Sequence, residues 1–265
     1  AAMRGQHIQA EPLEIGREEA IRLGKQYVHN DICFPCQIVI GEALAALKSG
    51  KYDGKEVAIG MGKYIGDCRL THYSALLRKA LDDAGFHDVP ILTNDDVDYH
   101  NMHPGFRMSL GSALRLAFAL PVIDVLEELL RKIRPYEKVA GSTNRAFEKG
   151  MDAVVEGLEL HGISGLKKGF KKAIDLMNQV KYDRTNRRPR VLIVGEYLLN
   201  FHPGANHDIE DYLEHNGFEI IEAHMTDVIQ KSYFYLDAQI KEYKLKKPLR
   251  SEEHTSELQS PVSIS

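Results

Sequence analysis

The 265-residue sequence has only three cysteines, no run of about 18 apolar residues and no excess of basic residues. Three cysteines are too few for a disulfide framework, so reduced thiols, metal ligands or redox groups are expected. A formal charge of −4 argues against a general nucleic-acid-binding protein, which needs a basic surface. The lack of a long apolar run predicts no membrane span, and the start, AAMRGQHIQAEPLEIG, shows no secretory signal. These absences favour a cytoplasmic protein of one to two domains.

Helix-like and strand-like segments alternate in two parts of the chain. KEVAIGMG and VPILTND are typical of short buried strands, and the helix-like QIVIGEALAALKSG and THYSALLRKALDDAGF each precede one of them. A second alternation begins near Arg190, with RVLIVGEYLL, DIEDYLEHNGF and EIIEAH. Short connections between alternating helices and strands predict a parallel α/β arrangement.

A helical segment separates these two α/β units. Residues 108–134 are predicted to be mostly helical, with Pro121 kinking or splitting the helix. Two further helical stretches follow, the first with Ser142 or Thr143 as its N-cap. The predicted division is 1–105 for the first unit, 106–189 for the helical connection and 190–249 for a truncated second unit.

The last residues, 250–265, are treated as a probable non-native tail. RSEEHTSELQS, from Arg250 to Ser260, resembles one reading frame of a common sequencing-library adapter along its full eleven residues. The natural chain is then expected to be cut at about Leu249 and to continue in the gene product. A disordered polar tail is the alternative interpretation.

The sequence NDICFPCQIVIGEAL places Cys33 and Cys36 three positions apart at a predicted helix start. This C-x-x-C pattern is shared by redox dithiols, zinc sites and iron–sulfur ligand pairs, and buried cysteines also serve as small hydrophobic residues. Cys68 precedes another predicted helix, and His29 and His72 are the nearby candidates for completing a zinc site. Helix N-termini stabilise thiolates and anionic clusters, so the position favours a cluster. Three thiolates would leave one iron without a protein sulfur, as in catalytic metal sites.

Four segments in register resemble the 2-hydroxyacyl-CoA dehydratase superfamily, nearest to its activase-related branch. They are NDICFP, GDCRLTHYSALLRKALDDAG, RPYE and VGEYLLNFHPGANHDIEDYLE, and the likeness runs from about Tyr27 to about Tyr243. The resemblance implies two Rossmann-like parallel-sheet units holding a [4Fe-4S] cluster between them. It also implies low-potential electron transfer from an ATP-dependent activator, anaerobic chemistry and a CoA thioester or similar substrate. No ATP site is evident here, so the activator would be another domain or chain, and the oligomeric state stays open.

The same resemblance assigns the candidate site residues. Cys33 and Cys68 match family cysteines, whereas Cys36 falls where relatives commonly carry a small non-cysteine residue, so it either replaces a missing upstream ligand or leaves the site incomplete. Arg69 is a candidate for binding cluster sulfides or a substrate carboxylate, with a surface arginine as the alternative.

In the loop NFHPGANHD, His202, together with Asn206 and His207, is a candidate for contact with substrate or cluster. Turn formation and helix capping are the alternative. Two other functions remain open for the whole chain. They are a non-catalytic cluster carrier or scaffold, and a structural zinc protein.

Overall fold

The computed structural model describes residues 1–54, 56–62, 68–93 and 109–242. The chain divides into two compact units, Ala1–Ala223 and His224–Ser265. The helices are α1 Glu18–Tyr27, α2 Phe34–Lys48, α3 Tyr73–Asp83, α4 Leu110–Ile133, α5 Ser142–Asn178, α6 Tyr197–Phe201, α7 Pro203–Asn206, α8 Ile209–His215 and α9 Met225–Glu242. The strands are β1 Ile59–Met61, β2 Ile91–Thr93, β3 Arg190–Leu192 and β4 Glu219–Ile221.

Each predicted α/β unit contains one pair of parallel strands. β1 pairs with β2, with Gly60 opposite Leu92, and α3 forms the connection between them. β3 pairs with β4, with Val191 opposite Ile220, and the short helices α6, α7 and α8 lie between them in the chain. The α/β class is therefore confirmed. The described residues supply two strands to each sheet, and helices account for most of the remaining ordered structure.

The first core lies between α2, α3 and the β1–β2 sheet. Helix α2 is buried over most of its surface because apolar residues surround nearly its whole circumference. Its packing against α1 is unusually close, since a Cβ atom on Gly24 or Gly41 would overlap backbone atoms of the facing helix. The fully buried side chains at this centre include Cys36, Ile40, Leu44, Leu77 and Leu81.

Of the two predicted effects of Pro121, a kink or a split, the split is wrong, because α4 runs continuously from Leu110 to Ile133 with the proline inside it. Proline removes one backbone N–H donor, so the carbonyl of Ala117 loses its usual helical partner. Both Pro121 and Ala117 are exposed, and water can therefore satisfy that carbonyl.

Helix α5 is a helical hairpin rather than one straight helix. Gly162 has φ 59° and ψ −142°, and this left-handed backbone reverses the chain between 142–161 and 163–178. The two arms pack on α4 around a second core of Ala119, Leu126, Val154, Leu158, Leu166 and Ala173.

The predicted N-cap of α5 is also wrong, because the N-cap residue is Gly141 and no side chain caps from that position. The Glu137 carboxylate instead accepts hydrogen bonds from the backbone N–H groups of Gly141 and Thr143 and from the hydroxyls of Ser142 and Thr143. Burial opposes ionisation, but these bonds outweigh it and lower the pKa of Glu137 below its ordinary value. Glu137, which lies outside the helix, therefore supplies the cap that was predicted to come from Ser142 or Thr143.

The second compact unit, His224–Ser265, is described as far as the end of α9 at Glu242. Ile229 and Phe234 on this helix are exposed. Among the described residues, no helix has both the length and the apolar character that crossing a membrane requires. The boundary predicted near residue 105 and the probable non-native tail 250–265 lie outside the described residues, and the division into three segments stays a prediction.

Candidate metal centre at the cysteine-bearing helix starts

The cysteines occupy the first positions of two helical segments, as the sequence predicted. Cys33 is the N-cap of α2 in an extended conformation, and Cys36 lies within the first turn of that helix. Cys68 is the N-cap of a 3₁₀ helix, Arg69–His72, which leads directly into α3. Thiolates at such positions are stabilised by the unpaired backbone N–H groups of the first turn.

Arg69 and Tyr73 join the two helix starts. The guanidinium of Arg69 donates to the backbone carbonyls of Asp31, at 2.7 Å, and Ile32, immediately before Cys33. The Tyr73 hydroxyl lies 2.9 Å from Cys33 Sγ. Both contacts come from the residues that follow Cys68, so the fold brings the segments around Cys33 and Cys68 together although they are far apart in the sequence.

The environment of Tyr73 reflects this convergence. Burial raises its pKa well above the ordinary value, and the bond to Cys33 and the charges of Cys33, Cys36 and Cys68 raise it further. The phenol therefore remains protonated at neutral pH and can donate to a thiolate at Cys33. Cys68 Sγ accepts a weaker contact, 3.5 Å from the backbone nitrogen of Leu70.

The three thiols differ in their exposure to solvent. Cys68 is exposed, Cys33 is half-buried and Cys36 is completely buried in the first core. Burial, with a smaller contribution from the Cys33 charge, raises the pKa of Cys36 to about 12. This burial is what the alternative interpretation of Cys36, a small hydrophobic core residue, expects, and the role of Cys36 as a ligand stays a prediction.

Of the three predicted cluster ligands, Cys68 is open to solvent and Cys33 partly so, whereas Cys36 is buried. Within the described ranges, no group of three or more histidine, cysteine or acidic side chains has an arrangement suited to a metal ion. His29 and His72, the candidates for completing a zinc site, are exposed. The Nδ1 atom of His29 lies 3.5 Å from Oδ2 of Asp31.

Arg69 and His202 have structural partners. Arg69 binds the backbone carbonyls named above, whereas His202 Nε2 lies 2.7 Å from Glu42 Oε1. The same histidine caps α7, because its Nδ1 accepts the N–H of Ala205 at 3.0 Å. Glu42 is nine residues beyond Cys33 in α2, roughly 13 Å along the helix axis. Arg69 thus contacts the chain just before Cys33, whereas the Glu42–His202 pair lies further along α2.

The loop containing His202 borders a separate cavity of about 290 Å³. Asn206 lines this cavity, as do Asn200 and Phe201 and the carboxylates of Asp208 and Asp211. Asn206 also makes turn contacts, donating to the carbonyl of Asn200 and accepting from the N–H of Ile209. His207 and Asp208 both adopt left-handed backbone conformations, with φ 57° and φ 55°.

A buried charge cluster near β4 was not predicted from the sequence. Arg131 of α4 contacts Glu210 and Glu222, and the side chain of Glu222 has 0% exposure. Burial is the main cause that raises the pKa of Glu222 to about 8; the charges of Glu210 and Glu127 add to it and Arg131 opposes it. No local sequence signal marks Glu222, because its burial depends on packing between distant elements.

The RPYE segment, one of the four that carry the family resemblance, serves structural roles. Arg134 pairs with Glu210 and Glu214, Tyr136 donates to the buried carboxylate of Glu219 at 2.6 Å, and Glu137 caps α5. No family model, curated protein or solved structure matches the chain.

Proposed function

We propose that this chain is an iron–sulfur protein of the 2-hydroxyacyl-CoA dehydratase type, in which Cys33 and Cys68 are the cluster ligands. It accepts low-potential electrons from an ATP-dependent activator and serves reductive or radical dehydration of a CoA thioester or similar substrate. The observation that carries the proposal is the convergence of two cysteine-bearing helix starts through Arg69 and Tyr73.

The ligand residues have distinct roles in this proposal. A bound [4Fe-4S] cluster supplies one-electron chemistry at low potential. Tyr73 donates to the Cys33 thiolate, and hydrogen bonds to ligating sulfur influence both its orientation and its electron density. Arg69 acts as a positioning residue, because its guanidinium holds the chain before Cys33 beside the segment that carries Cys68.

In this proposal Cys36 is a core residue and not a ligand, and its complete burial supports that choice. The two remaining thiolates leave the coordination of a four-iron cluster incomplete, so further ligands come from another segment or chain. This requirement agrees with a protein that works beside an activator. We assign no reaction step to the cluster from these two ligands.

We also propose that the two βαβ arrangements are parts of Rossmann-like units. Support comes from their parallel pairing and from helical connections in both cases. Cys68 follows the β1 segment and precedes α3, which places it at the strand-to-helix side where α/β proteins commonly build their sites.

Anaerobic purification followed by iron, acid-labile sulfide and EPR measurements tests the proposal. The wild-type chain should contain iron and sulfide in similar amounts and give an EPR signal after reduction. Cys33→Ala and Cys68→Ala should each lose most of the iron and the signal. Zinc without sulfide, or iron content unaffected by both substitutions, would overturn the assignment.

Cys36→Ala is the matched control, because it removes the buried thiol of the same C-x-x-C sequence and leaves the thiols of Cys33 and Cys68 in place. It should retain iron and sulfide. Adding an ATP-dependent activator and a 2-hydroxyacyl-CoA to the loaded protein then separates an enzyme, which forms product, from an electron carrier, which is reduced without forming product.

A further inference from the structure

One face of α4 is an exposed apolar stripe. Its positions recur every three or four residues, so they lie above one another on a helix with 3.6 residues per turn. The residues of this α4 stripe are Leu110, Leu114, Ala117, Phe118, Pro121 and Val125, and all six are exposed. Leu110 is 75% exposed and Phe118 is 53% exposed. The opposite face of α4, which includes Ala119 and Leu126, packs in the second core.

The size of the α4 stripe is that of an interaction site. Its exposed surface is on the order of 500 Å² per copy, and contiguous apolar patches of this size are often functional. Two such stripes packed together remove about 1,000 Å² from water, which is the area at which a specific but weak protein interface becomes stable. A second copy of this chain therefore supplies enough apolar surface for a reversible dimer.

The chemistry of the α4 stripe favours another apolar face over an anionic partner. None of its side chains carries a charge. Helices that bind anionic membranes or nucleic acids present lysine and arginine beside their apolar residues. Near the C-terminal end of α4, Arg131 is paired with Glu210 and Lys132 with Glu128, so these cations already have partners within the chain.

The sizes of the residues along the α4 stripe suit an antiparallel pair of identical helices. A two-fold axis between Ala117 and Phe118 places the largest side chain of each copy against the smallest side chain of the other. The same axis places Leu114 against Pro121. The interface is then self-complementary, as two-fold symmetry requires. The Ala117 carbonyl, which Pro121 leaves without its helical donor, accepts a bridging water of the kind that interfaces commonly contain.

We propose that the α4 stripe is the interface of a weak homodimer in which the two α4 helices pack antiparallel. The dissociation constant is expected at about 10 µM, because the interface is small and apolar. This interface uses none of the cysteines and is independent of the proposed cluster.

Sedimentation velocity of the whole chain between about 1 and 200 µM tests the proposal. The protein should change from mostly monomer to mostly dimer over this range. A monomer at every concentration would overturn the proposal. Binding of the monomer to phosphatidylcholine vesicles would also overturn it, because lipid would then be the occupant of the α4 stripe.

Phe118→Glu should weaken dimerisation about a hundredfold, because it buries a charge at the centre of the interface. Leu114→Gln gives a second, milder variant, and circular dichroism shows that both remain folded. Leu160→Glu, at an exposed apolar position of α5, is the matched control and should dimerise as wild type. An unchanged dissociation constant in Phe118→Glu and Leu114→Gln would place the interface elsewhere and contradict the proposal.

Oxidative crosslinking tests the orientation of the two helices. Ala117→Cys places a thiol beside the two-fold axis and should give a covalent dimer through that position, identified by mass spectrometry of the joined peptides. Val125→Cys should not, because the two copies of position 125 lie about 22 Å apart along an antiparallel pair. Equal crosslinking of the two variants would contradict the antiparallel arrangement. Wild-type dimerisation of Cys33→Ala separates this outcome from that of the cluster proposal.

Discussion

Cys33, Cys36 and Cys68 illustrate how the surroundings of one residue type decide its chemistry. The positions of Cys33 and Cys68 at helix starts could be predicted, because capping depends on a few neighbouring residues. The burial of Cys36 could not, because it results from the packing of α2 against α3 and the β1–β2 sheet. The C-x-x-C spacing alone therefore made two inequivalent thiols look alike.

Alkylation should reveal this difference in the metal-free protein. With limiting iodoacetamide, Cys68 should react first, Cys33 more slowly and Cys36 only after unfolding, because both access and a raised pKa protect Cys36. Mass spectrometry of peptides at successive times gives the order. The unfolded chain is the control, in which the three rates should approach one another, and native labelling of Cys36 at the rate of Cys68 would contradict the burial gradient.

Glu222 provides the corresponding case for a carboxylate. Its pKa rises from 4.5 to about 8 on folding, so the folded protein holds a proton that the unfolded chain releases. The stability that this proton contributes is complete below about pH 4.5 and is lost as the pH rises through about 8. Arg131, Glu127 and Glu210 are the charged groups that act on the Glu222 carboxyl.

Glu222→Gln should therefore become more stable relative to wild type as the pH rises from 5 to 9. Urea unfolding at several pH values measures this difference, because glutamine keeps the shape of the acid and cannot ionise. Glu156→Gln, at an exposed position of α5, should show no such trend. Parallel pH profiles for wild type and Glu222→Gln would show that Glu222 is ionised throughout.

Among the helices, α5 shows how backbone contact determines an element. A Cβ atom on Gly165 would lie 2.0 Å from the carbonyl oxygen of Gly157, so the two arms of the hairpin touch through their backbones. The helical character of this region was predicted from its residue pattern. The reversal at Gly162 and the cap from Glu137 were not, since both depend on which arms and loops meet in three dimensions.

Gly165→Ala should destabilise the protein by about 3 kcal/mol, because rigid backbone cannot move aside for the added methyl group. Chemical unfolding monitored by circular dichroism measures the change. Gly111→Ala in α4 is a matched control, since its Cβ would lie 3.5 Å from Gln6, an ordinary contact distance. Alanine there should stabilise the helix by about 0.5–1 kcal/mol, and similar effects of both substitutions would refute the close packing.

Within the compact unit Ala1–Ala223, pairs of polar side chains connect residues 202–210 to residues that are far away in the sequence. Glu42 contacts His202, Arg17 contacts Asp208, and Arg131 contacts Glu210. Alternating helices and strands predicted the α/β class, because that pattern is local. Which distant side chains pair was not predicted, because charge and spacing along one segment do not identify a partner more than 70 residues away.

The Glu42–His202 pair allows this long-range connection to be measured. Glu42 Oε1 also accepts the N–H of Gly16 at 2.6 Å, so Glu42→Ala leaves both a backbone donor and the imidazole without their partner. Its loss should cost about 2–3 kcal/mol of unfolding free energy. His202→Ala should cost less, because Gly16 keeps its acceptor.

A double-mutant cycle then gives the coupling energy, expected at about 1–2 kcal/mol. Glu18→Ala, an exposed carboxylate on α1, is the control and should show no coupling to His202→Ala. Hydrogen exchange adds a local measurement, because the N–H of Ala205 is bonded to the histidine and should lose protection in Glu42→Ala as well as in His202→Ala. The contrary outcome is that the unfolding free energies of the two substitutions add and that the Ala205 N–H stays protected from exchange in Glu42→Ala. In that case the imidazole is held by its own loop and does not connect that loop to α2.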